Sequence, residues 1–420
     1  MLPPLPGEVS MALSDPSLVW LLALLTVGLP VAAVLLWHRI PGPPPVVLSA
    51  RLASVVASQL AAVLLVGVAL NDYAYFYGSW GELWSSLTQT VDNRYPVSPV
   101  TSVDRAARGP HDGVTLIASP GGSQSVPAAR WPKVGRLESV RIQGDVSQLG
   151  TQAYVYLPPQ YFQARYRNAT FPGVEVLSGY PSTDTMLVQR LDVERRLATA
   201  IAHHRARPMV LVMMRPTITL PRDTECTDVP GGPQVETFYA QDVPRAISAS
   251  YRVPPTGWGA MGYSTGGYCA TKITMGYPDV FRAGVSMSGY YRALQDYTTG
   301  NLWGGSRQLR DLNSPEWRLQ HQPAPPVSLL VTSSKGEGGP YGIRDTRRFL
   351  GLVRPPMQVS SVIAPSGGHT FSTWSPQVPE ALRWLSAQLY PAGPARAAPA
   401  APPVTAPSVR AGRLPSAPPR

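Results

Sequence analysis

A chain of 420 residues is longer than a single hydrophobic core ordinarily grows, so part of it must lie outside one. The net charge of +11 arises from 36 basic and 25 acidic residues, and only Lys133, Lys272 and Lys335 among the basic ones are lysines. Arg396, Arg410, Arg413 and Arg420 supply +4 of that charge in a stretch without acids, and no stripe of interleaved basic and aromatic residues occurs elsewhere, which argues against nucleic acid as a partner.

Residues 1–17 carry Glu8 and Asp15 but no Lys or Arg, unlike the basic leader of a cleavable signal peptide. Two charge-free runs follow, at 18–37 and 52–71, each 20 residues long. A helix rising about 1.5 Å per residue crosses a bilayer core in about 20 residues, so a hairpin of two transmembrane helices is expected. His38, Arg39 and Arg51 flank the connecting loop, whereas Asp15 and Asp72 lie on the outer flanks. The loop is therefore expected in the cytoplasm, with residues 1–17 and everything after Asp72 on the outer side of the cytoplasmic membrane. Tyr73, Tyr75, Phe76, Tyr77, Trp80 and Trp84 read as an interfacial aromatic belt within a juxtamembrane segment and linker, 73–132, which turns rich in Gly, Pro, Ser and Ala from about residue 93.

From 133 to 390 strand and helix signals alternate: strands at 137–142, 153–157 and 173–177, a helix at 185–203 and a strand at 209–213. Such alternation predicts an α/β domain built on a mostly parallel sheet with helices on both faces. Residues 391–420 are Pro and Ala with scattered Arg, have little to bury, and are expected to be disordered. Cys226 and Cys269 are too few for a disulfide scaffold. An extracytoplasmic compartment favours a bridge between them, the alternative being two buried free thiols. Asn168-Ala169-Thr170 is a glycosylation sequon by pattern.

The chemistry concentrates downstream. Gly262-Tyr263-Ser264-Thr265-Gly266 fits Gly-x-Ser-x-Gly between an apolar strand at 258–261 and a helical stretch at 268–275. The small residues let strand and helix approach closely around a sharp turn that exposes the serine, making Ser264 the candidate nucleophile. A serine needs a base, and only His321 and His369 follow it. His369 stands in Gly367-Gly368-His369, between an apolar strand at 359–364 and an amphipathic helix at 378–389, where the base belongs. His321 sits between Gln320 and Gln322 and reads as a solvated loop residue. The acid is expected after the strand at 327–332: Glu337 is preferred, and Asp345 is the alternative, with a second reading as N-cap of a helix at 346–350. An oxyanion hole needs two backbone N–H donors, assigned to Thr265 and to Tyr180, with Gly179 next in line. No metal is expected: adjacent residues such as His203 and His204 point about 100° apart on a helix and would not share an ion.

Over roughly 135–389 the chain resembles the branch of the α/β-hydrolases that holds esterase D and the antigen-type mycolyltransferases. The residues that carry the likeness are Tyr154-Val155-Tyr156-Leu157-Pro158-Pro159, Leu177-Ser178-Gly179-Tyr180, Gly262 to Gly267, Tyr277-Pro278-Asp279-Val280-Phe281, Ser288-Gly289-Tyr290, and Gly367-Gly368-His369 with Trp374 behind it. The resemblance implies ester hydrolysis or acyl transfer through a serine triad without metal or cofactor, supports Glu337 as the acid, and puts an oxyanion donor where Tyr180 stands. The leading expectation is a carboxylic ester hydrolase working through an acyl-serine on an ester or acyl-lipid substrate. Two alternatives are an acyltransferase to a sugar or lipid of the cell envelope and a non-catalytic envelope-binding protein on the same fold.

Overall fold

The computed structural model describes residues 16–37, 39, 41–74, 80, 113–117, 128–219 and 222–394. The tail from 395, residues 1–15, most of the 73–132 segment and the side chains of Tyr73, Tyr75, Phe76, Tyr77 and Trp84 lie outside the described residues.

Helix α1 spans Pro16–Leu36 and α2 spans Pro44–Ala74. Both are long and apolar enough to cross a membrane. They pack on each other through Leu18, Leu22 and Val68, while Trp20, Leu24, Val34 and Val63 face outward uncovered. An apolar surface this continuous suits lipid rather than water. Helix α2 begins eight residues before the charge-free run and so includes Arg51, whose guanidinium turns back to donate to the Trp37 carbonyl at 2.7 Å and lies over the Trp37 ring. The long side chain thus carries its charge toward the helix end, as snorkelling requires.

Apart from Gly393–Pro394, at the start of the stretch expected to be disordered, which pairs antiparallel with Ala169–Thr170, the remaining main elements are a nine-stranded sheet and its helices. In chain order they are β1 Val114–Ile117, β2 Arg136–Gln143, β3 Gly150–Leu157, β4 Gly173–Leu177, α3 Asp184–Gln189, α4 Val193–Ala202, β5 Val210–Met214 and α5 Val243–Ser250. There follow β6 Trp258–Tyr263, α6 Thr265–Gly276, β7 Phe281–Met287, α7 Arg307–Leu312, α8 Pro315–His321, β8 Ser328–Ser334, α9 Ile343–Leu352, β9 Gln358–Ala364 and α10 Val378–Gln388. In these labels the sheet order is β1-β2-β3-β5-β4-β6-β7-β8-β9. The pairs β1/β2, β2/β3 and β3/β5 are antiparallel, and every later pair is parallel. This is the α/β-hydrolase fold. Strands β4, β5 and β6 are buried along their whole length because helices cover both faces, which is why they read as unbroken apolar runs. One face packs Phe238, Ile247, Trp258 and Tyr268; the other packs Met186, Leu197, Leu382 and Leu385.

Three further local features depart from the sequence expectation. Strand β1 falls within the stretch read as linker, where Val114 to Ile117 pair with Ile142 to Ser139. The helix expected over 185–203 is two, α3 and α4, separated at Asp192, whose φ of 51° is left-handed. The Arg190 and Leu191 N–H groups both close on the Met186 carbonyl, and the turn lets Leu187 and Leu191 as well as Val193 and Leu197 reach the core. His321 is not in a loop: it ends α8, stacked on Trp317 one turn earlier.

Candidate active site

Parallel strands end at one edge of the sheet, and the connections that leave that edge carry the candidate groups. Ser264 joins β6 to α6 with φ 56° and ψ −125°, a conformation that L side chains resist and that the surrounding packing must hold. Two glycines make the turn possible. A Cβ on Gly266 would lie 2.3 Å from the carbonyl oxygens of Leu177 and Ser178, and one on Gly262 would lie 2.4 Å from the Gly266 carbonyl.

His369 stands on the loop after β9, with Nε2 2.9 Å from Ser264 Oγ. Its Nδ1 faces Glu337 Oε1 at 3.2 Å. The other oxygen of Glu337 accepts the Ser334 N–H at 3.0 Å and the Ser333 hydroxyl at 3.1 Å, so the buried carboxylate is held from behind by the end of β8. Ser334 Oγ also donates to the Gly367 carbonyl at 2.7 Å, tying the end of β8 to the loop that carries His369. The imidazole is clamped by Tyr341, stacked at 4.0 Å between centroids, and by the edge of Trp374 at 4.9 Å. Trp374 in turn stacks on Tyr263, the residue before the serine.

Asp345 is not at the histidine. It lies in the first turn of α9 and pairs with Arg292 at 3.2 Å and with Arg348. Nor is it the N-cap: that position is Gly342, and the helix starts three residues earlier than expected, at Ile343. Thr265 opens α6, where the first N–H groups have no intrahelical acceptor. The loop carrying Tyr180 abuts Ser264, since a Cβ on Gly179 would meet Ser264 Cβ at 2.9 Å.

Behind the serine is a buried polar network that the sequence reading did not single out. Cys226 and Cys269 form a disulfide, with Cα atoms 5.8 Å apart, and fasten the strap at 222–227 to α6. Asp223 on that strap accepts from Thr265 Oγ1 at 3.0 Å, Thr217 Oγ1 at 3.2 Å and the Glu225 N–H at 3.0 Å. Burial pushes the Asp223 carboxyl up to about 6 despite these hydrogen bonds. Glu225 is pushed up to about 8, first by burial and then by the neighbouring Asp223 charge. Lys272, also buried, donates to the Glu225 carbonyl, Thr227 Oγ1 and Asn313 Oδ1 and pairs with Glu236. The signal that points here is the cysteine pair: Asp223 lies three residues before Cys226 and Thr265 four before Cys269, so a bridge brings the two together.

The family model described as Putative esterase matches residues 148–385, more than half of the chain. The chain belongs to this family. Among solved structures, the esterase is similar to an S-formylglutathione hydrolase from Agrobacterium tumefaciens, with a TM-score of 0.53 at 15% identity over 61% of this chain and 97% of that one. It is also similar to a ferulic acid esterase, with a TM-score of 0.51 at 20% identity over 62% and 100% of the two chains. At these identities the likeness is one of fold. No curated protein matches the chain by sequence. Family membership makes this esterase a serine hydrolase of the carboxylic ester class, and two apolar helices precede its catalytic domain.

Proposed function

We propose that the esterase hydrolyses carboxylic esters through an acyl-serine intermediate at the outer face of the cytoplasmic membrane. The observation that carries this reading is the hydrogen-bonded chain from Ser264 Oγ through His369 to Glu337, at 2.9 and 3.2 Å. His369 Nε2 takes the proton as Ser264 attacks the ester carbonyl, and Glu337 keeps the other ring nitrogen protonated and steadies the imidazolium that forms. The Thr265 and Tyr180 backbone N–H groups receive the oxyanion, where donors aimed at developing charge lower the barrier most. His369 then protonates the departing alcohol, and water activated by the same imidazole releases the acid. The outer-face assignment rests on Arg39 and Arg51 flanking the short connection between α1 and α2.

Hydrolysis of p-nitrophenyl esters of short and long acyl chains by the full chain, beside its Ser264→Ala variant, tests the mechanism. Turnover is expected to fall at least about 10⁴-fold in the variant. Unchanged turnover would remove Ser264 from the reaction. Product analysis with an added alcohol separates hydrolysis, which yields free acid, from transfer, which yields the new ester.

A further inference from the structure

A cavity lies at the opposite edge of the sheet from Ser264, roughly 17 Å away along a five-residue strand such as β5. It has a volume of about 490 Å³ and is lined by Arg165, Arg205, Arg207, Arg383 and His204 with not one carboxylate in its wall. Three separate pieces of chain supply these groups: the turn after β3, the segment joining α4 to β5, and the end of α10. Arg383 is paired with Glu380, and Arg165 has a single hydrogen bond to Gln163 Oε1. Among the described residues, neither Arg205 nor Arg207 meets a carboxylate, and both are exposed.

The negative end of the α4 dipole accounts for one cation near residue 203, but not for arginines arriving from two other elements. The carbonyls at that helix end are in any case closed by the backbone N–H groups of His203, His204 and Arg205. The wall opposite is built rigidly. Arg252 donates to the carbonyls of Tyr161, Tyr166, Arg167 and Ala169 and so pins the turn that carries Arg165. Among the described residues Arg165, Arg205 and Arg207 have no carboxylate partner, so these like charges gathered in a concave site raise one another's energy, and an anion relieves that cost. The guanidinium fork matches the oxygens of a phosphate in geometry as well as charge.

We propose that this cavity binds a phosphate group, carried either by a soluble phosphate compound or by the headgroup of an anionic lipid, at a site separate from the acyl-transfer centre. The test uses the full chain in a neutral detergent. It is titrated with inorganic phosphate, pyrophosphate and dihexanoyl phosphatidylglycerol, with the zwitterionic dihexanoyl phosphatidylcholine as control, and binding is read by calorimetry and by the thermal midpoint. Binding is expected with a dissociation constant of about 1 mM or tighter for at least one anion. It should weaken at least about tenfold in the Arg205→Gln/Arg207→Gln double variant and likewise in Ala206→Glu, which places a carboxylate in the cavity. Hydrolysis of p-nitrophenyl esters should be unchanged in both variants, since the site is a strand's length from Ser264. Preference for inorganic phosphate or pyrophosphate identifies a soluble ligand, and preference for phosphatidylglycerol over phosphatidylcholine identifies a headgroup. No binding by any anion, or equal binding by parent and both variants, overturns the proposal.

Discussion

Replacing Glu337 by Gln isolates the role of one carboxylate without changing its shape. The Ser334 N–H, 3.0 Å from Oε2, can only donate, so the amide oxygen must take that position. The amide NH₂ is then forced toward His369 Nδ1, where the carboxylate oxygen had stood at 3.2 Å. The reverse orientation would set two donors against each other. Facing a donor, Nδ1 must accept, which moves the imidazole proton to Nε2, and a protonated Nε2 cannot take the proton of Ser264. The expected loss in kcat is about 10⁴-fold, or about 5 kcal/mol of barrier. KM should change little, because the Glu337 side chain is fully covered and lies behind His369. Steady-state hydrolysis of p-nitrophenyl butyrate measures both constants. In the matched control, Asp345→Asn, the lost partners are Arg292 and Arg348, both more than a third exposed, so activity should stay within about threefold and stability within about 1 kcal/mol. Glu337→Gln within tenfold of the parent, with Asp345→Asn inactive, would refute the assignment.

Three further outcomes follow from the same geometry. Gly266→Ala should lower kcat at least about 10²-fold and lower the thermal midpoint, because the new Cβ would force α6 off β4 and shift Ser264 relative to His369; near-parental kinetics would mean that the turn tolerates a side chain. Glu225 is an acid whose folded value, about 8, lies above its ordinary 4.5, so its contribution to stability is complete below pH about 4.5 and is lost as pH rises through about 8. Glu225→Gln should therefore remove up to about 1.4 kcal/mol per pH unit of the decline in stability between about pH 5 and 8, and parallel pH curves for parent and variant would contradict this. Protein isolated from cells with its thiols blocked should carry the Cys226–Cys269 bridge, and reducing it should cost up to about 4 kcal/mol in denaturant unfolding, the chain-entropy limit for a separation of 43 residues. Two free thiols would instead put the domain on the cytoplasmic side.

What the amino-acid sequence determines by itself is what depends on a few consecutive residues. Two charge-free runs suffice to specify long apolar helices, because each backbone group is satisfied within its own helix. Gly262 and Gly266 about Ser264 announce a tight strand-to-helix turn by their spacing, because a side chain at Gly262 would strike the backbone of Gly266 four residues on, whereas the close approach of Gly266 to Leu177 and Ser178 of a distant segment is decided by the packed sheet. His369 stands out by its place between the last strand and the last helix. Glu337 and Asp345 are not separable in this way: eight residues apart, both follow β8, and only the seating of one carboxylate against Ser334 and the capture of the other by Arg292 and Arg348 distinguishes them. The break at Asp192 is likewise hidden, because an apolar period that continues through a turn looks the same as one unbroken helix. Asp223 beneath Thr265, Tyr341 on His369, and Arg165 with Arg205 and Arg207 around one cavity come from segments tens of residues apart in the chain. Their meeting is decided by which strands lie side by side in the sheet, and strand order is a property of the packed whole that no local stretch of sequence encodes.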